Sequence, residues 1–390
     1  MRARRLVCWL LAALLQTAAA PAFAEDGVTQ GRIQFGQSAA LTGPAEALGI
    51  GMRDGLQAAF TEANAAGGTH GRMLNLLSLD DRYEPEAAGE NSRNLMFFSR
   101  VFALIGAVGT PTSRVVAPLA AEHEVPYIGA FTGAEMLRTP YEAYIVNIRA
   151  SYFQETEALV AHLVDRLGKQ RIGIFYQNDS FGRAGRAGVV QALERRGAAL
   201  VSEGRYVRNS TAVKVGLLDV MAGRPEAVIM VGAYAPLATF VQWSAKLNFK
   251  PTFASISFIG SEAFAAALAE RPLADRGKGI IISQVVPFPL DPSVPLVRDY
   301  LTAIAVTGSK PSFISLEGYL TGRFTVAILE QLGAAPTRAD FIAAVQASTA
   351  LDLGGVSLAF GPADNQGSDA IYLTELDGAG GLRPLQDAAQ

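Results

Sequence analysis

One cysteine, three histidines and two tryptophans are all that 390 residues contain of those types. The lone cysteine, Cys8, lies inside an N-terminal leader. Arg2, Arg4 and Arg5 form a positive segment, Leu6 to Leu15 an apolar one, and Ala22-Phe23-Ala24 a small-residue cleavage signal, so residues 1–24 read as a signal peptide removed before Glu25. The mature chain then has no cysteine, which excludes disulfides, thiolate catalysis and cysteine-held metal. His70, His123 and His162 are scattered without i, i+4 partners, so no metal site is expected. No run beyond the leader reaches the length of a membrane-spanning helix. No basic tract exceeds Arg4-Arg5 or Arg195-Arg196, which excludes a nucleic-acid surface. A phosphate-loop lysine motif and a G-x-S-x-G elbow are also missing. Gly49-Ile50-Gly51-Met52-Arg53-Asp54-Gly55 approaches a dinucleotide fingerprint, but it follows the first strand after a long loop, so no cofactor is expected.

What is present is alternation. Ile33–Ala39, Met73–Leu79, Val101–Ile105, Val125–Ile128 and Tyr144–Ile148 read as buried strands separated by amphipathic helices. The series restarts with strands over Arg171–Tyr176, Ala199–Tyr206, Ala227–Val231 and Thr252–Ile256. Helical segments of this length between strands require right-handed crossovers in parallel sheets. The fold class is therefore α/β, with two doubly wound parallel-sheet lobes. After the strand Gly279–Val286 come helices near Pro295–Val306, Ser315–Leu332 and Arg338–Thr349, then β signals at Val356–Phe360 and Ala370–Leu376. The expected division is 25–148 plus 286–352 for lobe 1 and 149–285 plus 353–390 for lobe 2. The hinge is then crossed near Asn147–Ala150, Ser283–Pro287 and Leu353–Ser357.

Two apolar runs stop abruptly in small residues and hydroxyls, at Val108-Gly109-Thr110-Pro111-Thr112-Ser113 and at Ala130-Phe131-Thr132-Gly133. In an open parallel sheet, ligands bind beyond the carboxyl ends of strands. Gly109 admits close backbone approach, and Thr112 or Ser113 is placed to cap the next helix. Free N–H groups at a helix start favour an anion. Thr110 and Thr132 supply hydroxyls and Phe131 an aromatic wall, so the pair of strand ends reads as a carboxylate cradle beside an apolar patch. Asp80-Asp81, at another strand end, reads as a polar loop element.

The stretches "ALTGPAEALGIGMRDGLQAAFTEANAAGG", "LLSLDDRYEPEAA", "ALIGAVGTPTS" with "PYIGAFTG", "RIGIFYQNDSFGRAG" and "AVIMVGAYAPLATFVQWSAKLNF" occur in an order and spacing that resemble the type I periplasmic binding proteins of branched-chain amino acid and amide ABC transporters, the group of the leucine/isoleucine/valine-binding protein. The resemblance implies no enzyme activity. It implies a monomeric periplasmic receptor that closes on a small molecule and delivers it to an ABC permease, or alternatively docks on a membrane sensor. It carries ligand-binding roles onto Leu48, Val108, Thr110, Ala130 and Thr132 of lobe 1, Phe181 and Tyr234 of lobe 2, and Phe313. One position departs. The acid that receives a ligand ammonium in amino-acid binders falls near Ser257, and no acid occurs between Lys250 and Ser261. Glu317, from lobe 1, is either the substitute for it or a solvent-facing residue. A carboxylate or amide with a neutral or aromatic body is then as well suited as an amino acid, because a buried ammonium needs a counter-charge.

Overall fold

The computed structural model describes residues 25–385, apart from Pro272, Ala274 and Arg276. The expected leader lies outside the described residues. Among them, no helix is long and apolar enough to cross a membrane.

The first lobe is built on β1 (Arg32–Ala39), α1 (Glu46–Ala65), β2 (Met73–Asp80), α2 (Pro85–Arg93), β3 (Ala103–Ile105), α3 (Thr110–Glu122), β4 (Tyr127–Ile128) and β5 (Ile145–Val146). Its sheet runs β2-β1-β3-β4-β5, with every pairing parallel. The chain crosses to the second lobe through α4 (Tyr152–Val160) and continues as β6 (Ile172–Gln177), α5 (Ser180–Glu194), β7 (Ser202–Tyr206), α6 (Lys214–Ala222), β8 (Ala227–Val231), α7 (Tyr234–Lys246), β9 (Thr252–Ser255), α8 (Ser261–Ala269) and β10 (Ile281–Gln284). It returns as α9 (Pro295–Val306), α10 (Phe313–Leu332) and α11 (Arg338–Ala347), followed by the hairpin β11 (Leu351–Asp352) and β12 (Ser357–Leu358). The last strands, β13 (Tyr372–Leu376) and β14 (Leu382–Pro384), add antiparallel to the second sheet, whose order is β14-β13-β10-β9-β8-β6-β7.

In each sheet the strand order reverses once, between β1 and β3 and between β6 and β8. The crevices at these reversals are where connections diverge, the place where open parallel sheets bind ligands. They belong to the segments singled out above, at 40–48, 108–113, 177–181 and 232–234.

The α1–α10 contact explains the glycine-rich motif of α1. A Cβ on Gly55 would fall 2.0 Å from the Ser315 carbonyl oxygen, and one on Gly318 would fall 2.4 Å from that of Met52. The glycines let two 20-residue helices touch backbone to backbone, which is a packing role rather than phosphate binding. Phe35 meets Phe60 tilted and Phe102 edge-on in the core of lobe 1.

The third crossing falls later in the chain than expected. Leu353, Val356, Leu358 and Phe360 bury in the core of lobe 1, with Phe360 5.2 Å from Phe324 between ring centroids. The segment next to the hinge is 364–367, where the Asn147 N–H donates to the Asn365 carbonyl at 2.8 Å and the Gly367 N–H donates back to the Asn147 carbonyl at 2.8 Å. The alternating apolar pattern at 353–360 marks a buried face but does not say which core buries it.

Candidate functional site

Strand pairing at the two abrupt stops continues past β3 and β4. Val108 bridges Phe131, the Phe131 N–H donates to the Ala107 carbonyl at 2.7 Å, and the Gly109 N–H donates to the Phe131 carbonyl at 3.2 Å. This register sets Thr110 and Thr132 side by side, with their hydroxyl oxygens 2.7 Å apart and both side chains buried. One hydroxyl donates to the other, so one hydroxyl proton of the pair remains free.

α3 begins at Thr110 without a side-chain cap. Thr112 and Ser113, expected as caps, instead bond backward: Thr112 Oγ1 donates to the Gly109 carbonyl at 2.9 Å, and Ser113 Oγ donates to the same carbonyl at 2.6 Å. They lie inside the first turn, where a short hydroxyl reaches the carbonyl three or four residues back more readily than an N–H ahead. The N–H groups of Thr110 and Thr112 therefore keep no intrahelical partner, at the positive end of the helix. Gly109 makes this start possible. Its φ is +100°, and a Cβ there would lie 2.2 Å from Tyr83 Cε2. Gly109→Ala should lower the unfolding free energy by about 1–3 kcal/mol. A urea titration coinciding with that of the parent chain would mean that the strand end adjusts freely.

The second lobe meets this edge with aromatic side chains. Phe181 is fully buried, 5.5 Å from Tyr152 and 4.3 Å from Phe258 between ring centroids. Phe258 in turn stands 5.4 Å from Phe131 and 6.0 Å from Tyr83, both of lobe 1. The half-buried Tyr234 opens α7, and its hydroxyl accepts from the Ala47 N–H at 3.5 Å. Leu48 packs over Gly260, where a Cβ would meet Leu48 Cδ2 at 2.8 Å. Leu48, Val108, Phe131, Phe181 and Tyr234 thus belong to one apolar cluster shared by the lobes, with Ala130 buried just behind. Phe313 does not join it. Its ring packs on Phe288 in the core of lobe 1, 5.7 Å away, and its neighbour Ile314 takes the cleft position. The difference is one residue of helical phase.

Ser257 is backed by an acid after all. Its N–H donates to Glu155 Oε2 at 2.8 Å and its hydroxyl to Glu155 Oε1 at 3.1 Å, while the Ser283 hydroxyl donates to Oε2 at 2.7 Å. Arg149, 1% exposed, bonds Glu155 at 2.9 Å and Ser257 through Nη2, and reaches Glu317 at 3.4 Å through Nη1. Glu317 is buried rather than solvent-facing, and burial pushes its carboxyl up to about 7 even beside Arg149. The expected substitute acid is therefore already engaged by a guanidinium. Glu262, one residue past the segment that lacks acids, is different. Its Oε1 accepts the Phe313 N–H at 3.0 Å across the lobes, its Oε2 is buried without a partner, and burial pushes the carboxyl up to about 7.

Arg149, Tyr152, Glu155, Phe258 and Glu262 were not singled out from the sequence. The spacing Arg-x-x-Tyr-x-x-Glu just after a hinge strand is the one local signal, because Tyr152 and Glu155 share a face of α4 three residues apart. Asp81 proves to be a turn element, accepting from the Ser38 hydroxyl and the Tyr83 N–H, each at 2.8 Å.

At the mouth, polar groups join the lobes. Arg208 bonds Glu84 at 2.6 Å, Asn209 donates to Glu84 at 2.8 Å and to the Arg82 carbonyl at 3.1 Å, and Gln177 donates to the Tyr83 hydroxyl at 3.3 Å. Among the described residues, no group of three or more potential metal ligands occurs.

A sequence profile for the family described as Periplasmic binding protein matches residues 32–381. "Leu/Ile/Val-binding protein homolog 7" of Brucella abortus (strain 2308) is 25% identical over 251 residues, covering 62% of this chain and 61% of that protein, so the match spans less than two thirds of this curated relative. The crystal structure of a possible leucine/isoleucine/valine-binding protein from Rhodopirellula baltica SH 1 superposes with a TM-score of 0.86 at 37% identity, over 93% of this chain and 98% of that one. A substrate-binding periplasmic protein from Ralstonia solanacearum superposes with a TM-score of 0.84 at 25% identity, over 90% and 100%. These are binding proteins rather than enzymes, and they share the two-lobed α/β plan. With a profile match over nearly all the described residues, the chain belongs to the periplasmic binding protein family.

Proposed function

We propose that the chain is a periplasmic receptor for a small carboxylate-bearing molecule, which it encloses by lobe closure and delivers to an ABC permease. The observation that carries this is the Thr110–Thr132 hydroxyl pair at the uncapped start of α3, facing aromatic side chains of the other lobe. A carboxylate there receives hydroxyl and backbone N–H donors and the positive end of a helix, while closure removes water from its apolar body. The ligand stabilises the closed form only by contacts that the open form lacks. Mass spectrometry of small molecules released on denaturing the purified protein, followed by calorimetric titration, tests the reading. A ligand without an acidic group would overturn it.

Glu262 is available to a second group on the ligand. Its unpartnered Oε2 lies beside the N-terminus of α10, at the lobe junction. Because burial holds the carboxyl at about 7, it is neutral in acid and charged in base. An amine-bearing ligand should therefore bind more tightly as pH rises through 7, by up to about tenfold per unit below that point. A plain carboxylate should not gain in this way, and Glu262→Gln should abolish the difference. Equal pH profiles for leucine and 4-methylpentanoate would exclude Glu262 from this role.

A further inference from the structure

The turn Ser257–Ile259, between β9 and α8, carries two large apolar side chains that go separate ways. Ile259 enters the core of lobe 2, whereas Phe258 joins the cluster that both lobes share. Its ring, with no exposed surface, is surrounded by Phe181 at 4.3 Å, Phe131 at 5.4 Å and Tyr83 at 6.0 Å. The cleft is thus closed around a phenyl group supplied by the protein itself. The donors around that ring are not satisfied by it. Arg149 Nε is buried and without a partner, and the buried Tyr152 hydroxyl lies within reach of the Thr132 side chain and the Gly133 backbone but makes no well-aligned hydrogen bond. The Tyr152 ring lies tilted 5.5 Å from that of Phe181, and the Arg149 guanidinium carbon lies 4.9 Å from the centroid of the Phe131 ring. Buried donors left unpaired are costly, so their presence beside a filled apolar seat points to an absent acceptor.

Resting on the carboxylate reading above, we propose that Phe258 occupies the seat of the ligand's body, and that the ligand is an aryl carboxylate. Its ring takes the place of the Phe258 phenyl, and its carboxylate accepts from Tyr152, Arg149 Nε and the threonine pair. Phe258 supplies the ring but no acceptor, so it holds the lobes together while remaining displaceable. Gly260, left-handed at φ +75°, ends the turn at a point where Leu48 leaves no space for a Cβ. Self-filling lowers the apparent affinity by the fraction of molecules in which the seat is taken.

Calorimetric titration of the full mature chain with phenylacetate and 3-phenylpropionate, beside phenylalanine, leucine and 4-methylpentanoate, tests this. Phe258→Ala should tighten aryl carboxylates by about tenfold, the value for a seat filled in nine molecules of ten. Phe258→Leu should give a smaller gain, and it is the variant to use where alanine prevents folding. Tyr152→Phe should weaken the same ligands with little change in Tm. The ligand-free radius of gyration should rise in Phe258→Ala and fall again on ligand addition. Weaker or unchanged aryl binding in folded Phe258 variants would overturn the inference, making the ring a fixed wall. Binding of leucine but no aryl acid would overturn it as well, while leaving the carboxylate reading intact. Failure of every carboxylate, in parent and variants alike, would sink that broader reading too.

Discussion

Arg149→Met is expected to lower the unfolding free energy at neutral pH by about 3–5 kcal/mol, because it leaves two buried carboxylates without their shared cation. Arg149 connects Glu317 on α10 of lobe 1 with Glu155 and Ser257 of lobe 2. Glu155 keeps its serine and backbone donors when the guanidinium is lost, but Glu317 keeps none of its contacts with Arg149. The loss should depend on pH. In the parent chain the folded-state pKa of Glu317, about 7, exceeds its ordinary value of 4.5. Its contribution is therefore present in full below 4.5 and lost as pH rises through 7. Removing Arg149 takes away the group that opposes this rise, so the deficit should be small near pH 5 and largest near pH 8. Glu317→Gln in the Arg149→Met background should restore part of the stability at pH 8 and little at pH 5. Urea titrations at the two pH values check this, and a deficit below about 1 kcal/mol at both would show that the cluster is electrostatically idle.

The second large effect is on binding rather than folding. Thr110→Val with Thr132→Val should weaken binding of the proposed carboxylate ligand by about 30- to 100-fold, consistent with losing hydrogen bonds to a charged group. Stability should change little. The two hydroxyls bond each other at 2.7 Å, and replacing both partners with methyl groups of the same shape leaves no unpaired hydroxyl. The Ala134 N–H loses a long contact to Thr132 Oγ1, at 3.3 Å, and is the main structural cost. Either single valine should destabilise the fold more than the pair does, because each strands the other hydroxyl. Calorimetric titration with thermal unfolding on the same samples separates the effects. A double variant that binds like the parent would remove the threonines from the site.

The parts of this arrangement that were legible in sequence are local. Apolar runs ending in Gly109-Thr110 and in Ala130-Phe131-Thr132 mark strand ends by composition alone, and the alternation of strands and helices orders them in a parallel sheet. Phe181 and Tyr234 follow the same logic in lobe 2. What was not legible depends on distance along the chain. Arg149 and Glu317 are 168 residues apart, and the Arg149–Ser257 contact joins residues separated by 108. Nothing in "SISFIG" distinguishes Phe258, which crosses the cleft, from Ile259, which does not. Phe313 and Ile314 differ by about 100° around α10, finer than an unaligned sequence resolves. Glu262 escaped because it belongs to the first turn of α8, where an acid has an ordinary explanation at the helix start.

The staple between Glu84 and the Arg208–Asn209 corner has a kinetic meaning. Glu84 is partly exposed, so mobile ions reach this pair while the aromatic rings beneath it stay shielded. Raising the concentration of a kosmotropic salt such as sulfate weakens the outer fastening and strengthens the inner one. For a receptor of the proposed kind, guest escape and guest affinity then respond to such a salt in different proportions, and the residence time of a captured molecule becomes adjustable by the medium without any change at the seat itself.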